Sequence, residues 1–315
     1  MSLTIGVDIG GTKVLGGVVD DDGTVIDQAR RDTPAADTKE TLERIVDVIE
    51  ELSGRHEIEA VGVGAAGWID ADRSRVLYAP NLAWRDEPLR DEIQARINVP
   101  VVVENDANVA AWAEFRYGAA KDADDSMVMF TIGTGIGGGI VLGGRLVRGA
   151  HGIAGELGHV LAVPDGHPCG CGAKGCIEQY ASGNALSRFA RELAAEDPAR
   201  AAELLAEAGG DASRLTGPMV TDAAKDGDQV ALEAFGTAGY WLGQVLADMT
   251  QIFDPQVLVV GGGVIEAGDL LLKPAKEAYI ERLAARGKLP VAEIIPAQLG
   301  NVAGVVGAAD LARSR

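Results

Sequence analysis

Three cysteines and one histidine form the clearest chemical pattern in this 315-residue chain. Cys169, Cys171 and Cys176 fall within eight residues of one another, and His159 stands ten positions ahead of the first. Three thiolates and one imidazole are a standard tetrahedral ligand set for structural zinc. Because the cysteine count is odd and the spacing suits a metal, we predict a zinc site and not a disulfide.

Two carboxylates flank these ligands. His159 ends the string GELGH, which contains Glu156, and Glu178 follows Cys176 by two residues. When one imidazole nitrogen binds a metal, the other is left to meet a hydroxyl group. The pattern therefore predicts a polar pocket beside the metal.

Glycine-rich turns occur in both halves of the chain. DIGGTK, at residues 8–13, is not a Walker loop, because Thr12 separates the glycines from Lys13 and a strand follows. GTGIGGG, at residues 133–139, is not a dinucleotide fingerprint, because such a motif begins a helix and this one continues into a strand. Glycine lets backbone amides approach a phosphate closely. The predicted nucleotide-binding residues are Asp8, Gly10, Gly11, Thr12 and Lys13, then Gly133, Thr134, Gly135 and Gly137, and finally Gly261, Gly262 and Gly263 at a later strand end.

Asp106 lies between a predicted buried strand and a helix. It is either the cap of that helix or, at the carboxyl end of a strand where ligands collect, a base for an attacking hydroxyl. The amide of Asn105 suits a polyol, since it is both donor and acceptor. Asp8, at the end of the first strand, is placed to hold Mg²⁺ through water or to form the turn alone.

The order of predicted elements indicates an α/β protein. Strands are predicted at residues 3–7, 14–19, 60–66, 99–103, 127–132, 140–142 and 257–260, and helices at 38–52, 88–97, 229–252 and 301–312. The order strand, glycine turn, strand occurs twice, which predicts two related domains.

A net charge of −19 excludes several classes of partner. Nucleic acid requires Lys and Arg to neutralise its phosphates, so we expect no nucleic-acid partner. No apolar run reaches the ~20 residues of a membrane span, and the absence of a signal peptide together with the odd cysteine count predicts the cytoplasm. We interpret the acidic surface as salt adaptation, because screening relieves self-repulsion.

Together, GELGH, the Cys-x-Cys-x4-Cys-x-Glu run and the Glu104–Asn105–Asp106 string resemble the ROK family of sugar kinases along essentially the whole chain. The resemblance implies an actin/hexokinase-like (ribonuclease H-like) α/β fold with a cleft between two lobes. We expect a small lobe at 1–115 with a returning helix at about 300–315, and a large lobe at 116–299 containing the zinc loop 159–176.

The resemblance also implies the chemistry. Asp106 is the expected base for the 6-hydroxyl of a hexose, and ATP, Mg²⁺ and structural zinc are the expected cofactors. The expected sugar contacts are Gly67, Asn81, Asn105, Asp106, Glu156, His159 and Glu178.

GELGH and the complete cysteine triplet favour phosphorylation of glucose to glucose 6-phosphate. Fructose and N-acetylmannosamine remain alternatives. A sugar-responsive regulator is disfavoured, since the first phosphate turn begins at Asp8 and leaves no preceding DNA-binding domain. A homodimer or homotetramer is expected from the resemblance.

Overall fold

The computed structural model describes residues 2–80 and 82–313. The chain forms two compact units. The first contains Met1–Val128, Gly138–Gly155 and Ala297–Arg315, and the second contains Met129–Gly137 and Glu156–Pro296. The lobe boundaries expected from the sequence stay a prediction.

Thirteen strands and ten helices are described within those residues. The strands are β1 (Thr4–Ile9), β2 (Lys13–Val19), β3 (Val25–Asp32), β4 (Ala60–Ala65), β5 (Trp68–Ile69), β6 (Val76–Tyr78), β7 (Arg85–Glu87), β8 (Val101–Asn105), β9 (Met127–Ile132), β10 (Ile136–Leu142), β11 (Arg145–Leu146), β12 (Val257–Gly261) and β13 (Glu293–Pro296). The helices are α1 (Thr38–Ser53), α2 (Leu89–Gln94), α3 (Asp106–Arg116), α4 (Glu178–Ala181), α5 (Gly183–Glu196), α6 (Ala202–Glu207), α7 (Gly217–Lys225), α8 (Gln229–Phe253), α9 (Asp269–Arg282) and α10 (Ala303–Arg313).

The first sheet has the order β3-β2-β1-β4-β8. β1, β2 and β3 pair antiparallel, while β4 and β8 run parallel to β1. The central strands are apolar on both faces, as expected for strands covered by helices on each side. α1 covers one face with a helical stripe that includes Ile45, Ile49 and Leu52.

The last helix, α10, packs against the same sheet at unusually short range. A Cβ at Gly6 in β1 or at Gly62 in β4 would clash with the backbone of α10. The buried carboxylate of Asp310 in α10 accepts hydrogen bonds from Trp112 Nε1 at 2.8 Å and from the Tyr117 hydroxyl at 2.6 Å. Glycine in the strands therefore lets the C-terminal helix pack closely on the first sheet.

The second sheet has the order β11-β10-β9-β12-β13. β10 and β11 pair antiparallel, and β12 and β13 pair parallel. When the strands of each sheet are numbered along the chain, both five-stranded sheets have the order 3-2-1-4-5. The predicted repetition of the architecture is confirmed. The long helix α8 begins at an Asp228 cap and ends at Asp254, whose φ of 44° lies in the left-handed region.

Several predicted elements need correction. The segment between β4 and α2, where no strand was predicted, contains a three-stranded sheet of β5, β6 and β7. β10 begins at Ile136, so the prediction that residues 133–139 are all turn was wrong, and Gly137 lies within the strand. α2 is shorter than predicted. No helix within 2–80 and 82–313 combines the length and apolar character needed to span a bilayer.

Candidate functional site

In the first unit, the predicted phosphate turn joins β1 to β2. Its closing hydrogen bond runs from the Gly10 amide to the Lys13 carbonyl at 3.0 Å, and the Thr33 hydroxyl donates to the Gly10 carbonyl at 2.9 Å. Gly11 and Thr12 form the exposed tip. The turn is thus fixed at its base, while its glycine tip is open to solvent.

Asp8 lies beside this turn at the end of β1. A Cβ at Gly304, in the first turn of α10, would lie 2.7 Å from Asp8 Cγ, so the carboxylate packs against the start of that helix. Burial and the nearby charge of Asp106 raise the pKa of Asp8 from 3.8 to about 6, although Lys13 acts in the opposite direction. Two neighbouring, partly buried carboxylates offer only oxygen ligands, which suit a hard cation such as Mg²⁺.

The β8–α3 junction carries the candidate base. Asn105, and not Asp106, caps α3, because Asn105 Oδ1 accepts from the Asn108 amide at 2.9 Å. Asp106 is the first helical residue, and its Oδ1 accepts from the Ala107 amide at 2.9 Å and from Asn105 Nδ2 at 3.0 Å. Burial raises the pKa of Asp106, whereas these hydrogen bonds partly oppose the rise.

Asn105 also connects this junction to Gly67. Its Nδ2 donates to the Gly67 carbonyl at 3.0 Å, and Gly67 has a φ of 132° that favours glycine. The amide of Asn105 is therefore already occupied by protein partners on both its donor and its acceptor side. Asn81, the other predicted amide contact, lies outside the described residues.

Sequence reasoning assigned no role to Glu104, which the structure places directly behind the candidate base. Glu104 is 1% exposed, and its Oε2 lies 3.0 Å from Arg73 Nε and 2.6 Å from Arg148 Nε. The sequence signals were the position of Glu104 at the end of a buried strand and its place in the Glu104–Asn105–Asp106 string. Neither arginine is near it in the chain.

In the second unit, the turn between β9 and β10 consists of Gly133, Thr134 and Gly135. The Gly183 amide, at the start of α5, donates to the Gly133 carbonyl at 2.8 Å. Gly261 ends β12, the backbone of Gly262 lies against Ile132, and Gly263 begins a short 3₁₀ helix that precedes α9. Two of the three predicted glycine segments therefore lie together at one end of the second sheet.

Glu178 connects this turn to the cysteine loop. Its Oε2 accepts from the Ile136 amide at 3.1 Å and occupies the space that a side chain at position 135 would fill. Its Oε1 lies 3.6 Å from Cys169 Sγ. A side chain at position 135 would thus require the carboxylate of Glu178 to move.

The four predicted metal ligands come together. The ligand atoms of His159, Cys169, Cys171 and Cys176 all lie within 4.8 Å of one another. His159 Nδ1 lies 3.6 Å from Cys169 Sγ, while its Nε2 is directed toward Glu156 Oε2 at 4.0 Å. Burial and the neighbouring thiols raise the pKa of Cys176 to about 12, and a cation bound among these ligand atoms would favour its thiolate form.

Comparison with known proteins gives concordant matches. A sequence model described as the ROK family matches residues 4–315. A glucokinase of Streptomyces coelicolor is 47% identical over 99% of this chain and 98% of its own length. An N-acetylmannosamine kinase of Yersinia pseudotuberculosis is 34% identical over 100% of this chain and 99% of its own. The crystal structure of a ROK family glucokinase from Streptomyces griseus in complex with glucose and AMPPNP has a TM-score of 0.88 and 47% identity over 100% of both chains.

Proposed function

The chain belongs to the ROK family, and on that premise we propose that it is a glucokinase that transfers the γ-phosphoryl group of ATP to the 6-hydroxyl of glucose. The fold class expected from the sequence, a two-lobed actin/hexokinase-like α/β fold, is confirmed by the match to the Streptomyces griseus enzyme. The ligands of that enzyme, glucose and an ATP analogue, support the same substrate pair for this chain.

The observation that carries the mechanism is the placement of Asp106. Its Oδ1 accepts hydrogen bonds from Asn105 Nδ2 and from the backbone amide of Ala107. Within residues 2–80 and 82–313, no side chain or amide of another residue forms a hydrogen bond with its Oδ2. Oδ2 accepts the proton of the sugar hydroxyl as the sugar oxygen forms its bond to the γ-phosphorus and the bond to ADP breaks. A raised pKa makes the carboxylate a stronger base than an exposed aspartate.

The glycine turns bind the nucleotide. The exposed tip formed by Gly11 and Thr12, and the turn Gly133 to Gly135, offer backbone amides to phosphate oxygens. Lys13 belongs to the first turn, and its charge lowers the pKa of Asp8. The segment Gly261 to Gly263 lies on the adenosine side. Positioning and electrostatic stabilisation account for most of the rate of phosphoryl transfer in such sites.

Asp8 is the proposed residue for Mg²⁺. A bound Mg²⁺ neutralises charge on the nucleotide phosphates and keeps most of its own water ligands. Asp8 fits that role because its oxygens lie near a second buried carboxylate and its pKa of about 6 leaves it about nine-tenths ionised at pH 7.

Zinc is the proposed ion of the cysteine loop. In a tetrahedral site with zinc–sulfur bonds of ~2.3 Å and zinc–nitrogen bonds of ~2.0–2.1 Å, two sulfurs lie about 3.8 Å apart and a sulfur and a nitrogen about 3.5–3.6 Å. The separations here are 3.7 Å between Cys171 Sγ and Cys176 Sγ and 3.6 Å between Cys169 Sγ and His159 Nδ1. Four protein ligands leave no position for a reacting water, so the ion is structural.

The remaining sugar contacts are proposed from the family resemblance. His159 Nε2 and Glu156 bind hexose hydroxyls, since Nδ1 faces the cysteines. Glu178 is a further contact and Gly67 lies close by. Asn105 contributes mainly through its hydrogen bonds to Gly67 and Asp106.

N-acetylmannosamine is the main alternative acceptor, because a kinase of that sugar is 34% identical along the whole chain. A coupled assay of ADP production should compare glucose, mannose, fructose and N-acetylmannosamine, with ATP and polyphosphate as donors. We expect the highest kcat/KM with glucose and ATP. A higher value for another sugar would reassign the acceptor, and binding without ADP production would indicate a non-catalytic sugar-binding protein. Light scattering of the same preparation tests the proposed homo-oligomer.

A further inference from the structure

Three side chains of the first unit, the buried Glu104 and the partly buried Arg73 and Arg148, form a charged group that the proposed mechanism does not use. Glu104 ends β8 one residue before Asn105, Arg73 lies in the turn between β5 and β6, and Arg148 follows β11. Glu104 Oε2 forms ion pairs with both arginines, at 3.0 Å and 2.6 Å. We call these residues the Glu104 triad.

Each arginine also fixes the turn that contains Arg73. Arg148 Nη1 donates to the Ala71 carbonyl and its Nη2 to the Asp70 carbonyl, both at 2.7 Å. The Arg73 carbonyl accepts from the Val103 amide of β8 at 3.1 Å, and Arg73 has a φ of 53°, in the left-handed region that non-glycine residues rarely adopt. Such a conformation persists only where the surrounding contacts enforce it.

The second oxygen of Glu104 organises the junction that carries the base. Oε1 accepts from the Asn105 amide at 2.9 Å and from Asn108 Nδ2 at 3.2 Å. The backbone amide of Asn108 donates to Asn105 Oδ1, and Asn105 Nδ2 donates to Asp106 Oδ1. A continuous set of contacts therefore runs from the two arginines through Glu104 to the carboxylate of Asp106.

Burying this group is costly, which argues against an incidental arrangement. Removing a carboxylate and two guanidinium groups from water carries a desolvation penalty that ion pairing often fails to recover. Glu104 is 1% exposed, and burial lowers the pKa of Arg73 although Glu104 acts in the opposite direction. Strained or costly groups of this kind cluster near functional sites, where they fix geometry.

We propose that Glu104 is a positioning residue for phosphoryl transfer, and that Arg73 and Arg148 hold it so that the β8–α3 junction presents Asp106 to the sugar hydroxyl. This inference rests on the proposed role of Asp106. Glu104 makes no contact with the phosphate turn at residues 8–13 among the described hydrogen bonds and ion pairs. The triad therefore sets the rate of the chemical step and leaves nucleotide binding unchanged.

The test is Glu104→Gln in the full-length protein. The glutamine has the same shape and keeps an oxygen for the Asn105 amide, but it loses the charge that holds the arginines. A displacement of about 1 Å in a reacting group costs roughly 100-fold in rate, so kcat should fall by about 10- to 100-fold. The KM for ATP should change by less than about threefold.

Glu114→Gln is the matched control. Glu114 is also a completely buried carboxylate, but it lies at the far end of α3, where it accepts from the Leu299 amide at 2.7 Å and from the Gln298 amide at 3.0 Å. Both variants should lower the melting temperature, whereas only Glu104→Gln should lower kcat. An unchanged kcat in Glu104→Gln, or an equal loss in Glu114→Gln, would overturn the inference.

Arg73→Met and Arg148→Met keep the test decisive if Glu104→Gln does not fold. Each leaves Glu104 with one partner, so each should lower kcat by a smaller factor, again with little change in the KM for ATP. Wild-type kcat in both would refute the positioning role. A wild-type protein that phosphorylates no hexose would instead refute the proposed function.

Discussion

Asp8→Asn should stabilise the ligand-free protein above pH 6 while impairing the proposed reaction. Burial, together with the nearby Asp106 charge, raises the pKa of Asp8 from 3.8 to about 6. The asparagine has nearly the same shape but carries no charge. It removes the cost of the buried carboxylate, and it also removes the proposed magnesium contact.

The sign and size of this effect follow from proton linkage. Between pH 4 and 6 the folded state binds more protons at Asp8 than the unfolded state does. The free energy of unfolding of the wild type therefore falls as the pH rises through this range, and this decrease is complete just above pH 6. A shift of about two pKa units corresponds to about 3 kcal/mol at neutral pH, which is an upper estimate. About 1.5 kcal/mol of this difference should develop between pH 5 and 8.

Urea unfolding at pH 5, 6, 7 and 8, followed by tryptophan fluorescence, measures this difference. Trp84 is buried in the first unit and reports its unfolding. Asp22→Asn is the control, because Asp22 is exposed and its replacement changes the net charge by the same amount. The reasoning is refuted if Asp8→Asn is no more stable than the wild type at pH 8, or if Asp22→Asn shows an equal gain.

Four other results are expected. Asp106→Asn keeps an oxygen for the two hydrogen bonds but loses the basic carboxylate. The kcat should therefore fall by about 10²- to 10⁴-fold, while calorimetry still detects glucose binding. A variant that keeps a tenth of the wild-type kcat would exclude Asp106 as the base. Cys171→Ala should lower the zinc content measured by mass spectrometry and raise the KM for glucose, and a full complement of zinc would contradict the ligand assignment. Gly62→Ala should lower the free energy of unfolding, measured in urea, by about 3 kcal/mol, because the added Cβ would meet the backbone of α10. Gly236→Ala is the control: no atom lies near the added Cβ within α8, so this change should be neutral or stabilising. The melting temperature should rise as KCl approaches molar concentration, since salt screens the net charge of −19, and a fall would count against salt adaptation.

Local patterns in the sequence predicted local structure well. The helical spacing of apolar residues placed α1 and α8 within a few residues of their ends, and the apolar run at Met127–Ile132 is a strand as predicted. Glycine was harder to interpret. The pattern predicts a turn at Gly137 because glycine permits turns, yet Gly137 lies in β10. The β5–β7 sheet was not predicted because its strands have only two or three residues.

Similarly, the sequence located the candidate base but offered only Asp106, and not Asn105, as the cap of α3. A short polar residue between a strand and a helix is a cap by local chemistry, and either Asn105 or Asp106 satisfied that rule. The structure gives the cap to Asn105, because its Oδ1 accepts from the backbone amide of Asn108, and Asp106 Oδ2 is the oxygen that we propose as the base. Hydrogen-bond geometry, and not residue type, made that choice.

By itself, the sequence predicted the candidate ligands of the cysteine loop, the main strands and helices, and the family, because each depends on residues close together in the chain or on a motif. Only the tertiary structure decided that Arg73 and Arg148 meet at Glu104 and that α10 packs on Gly6 and Gly62. These contacts join segments far apart in sequence. Their partners are selected by the packing of the whole unit, which no local spacing encodes.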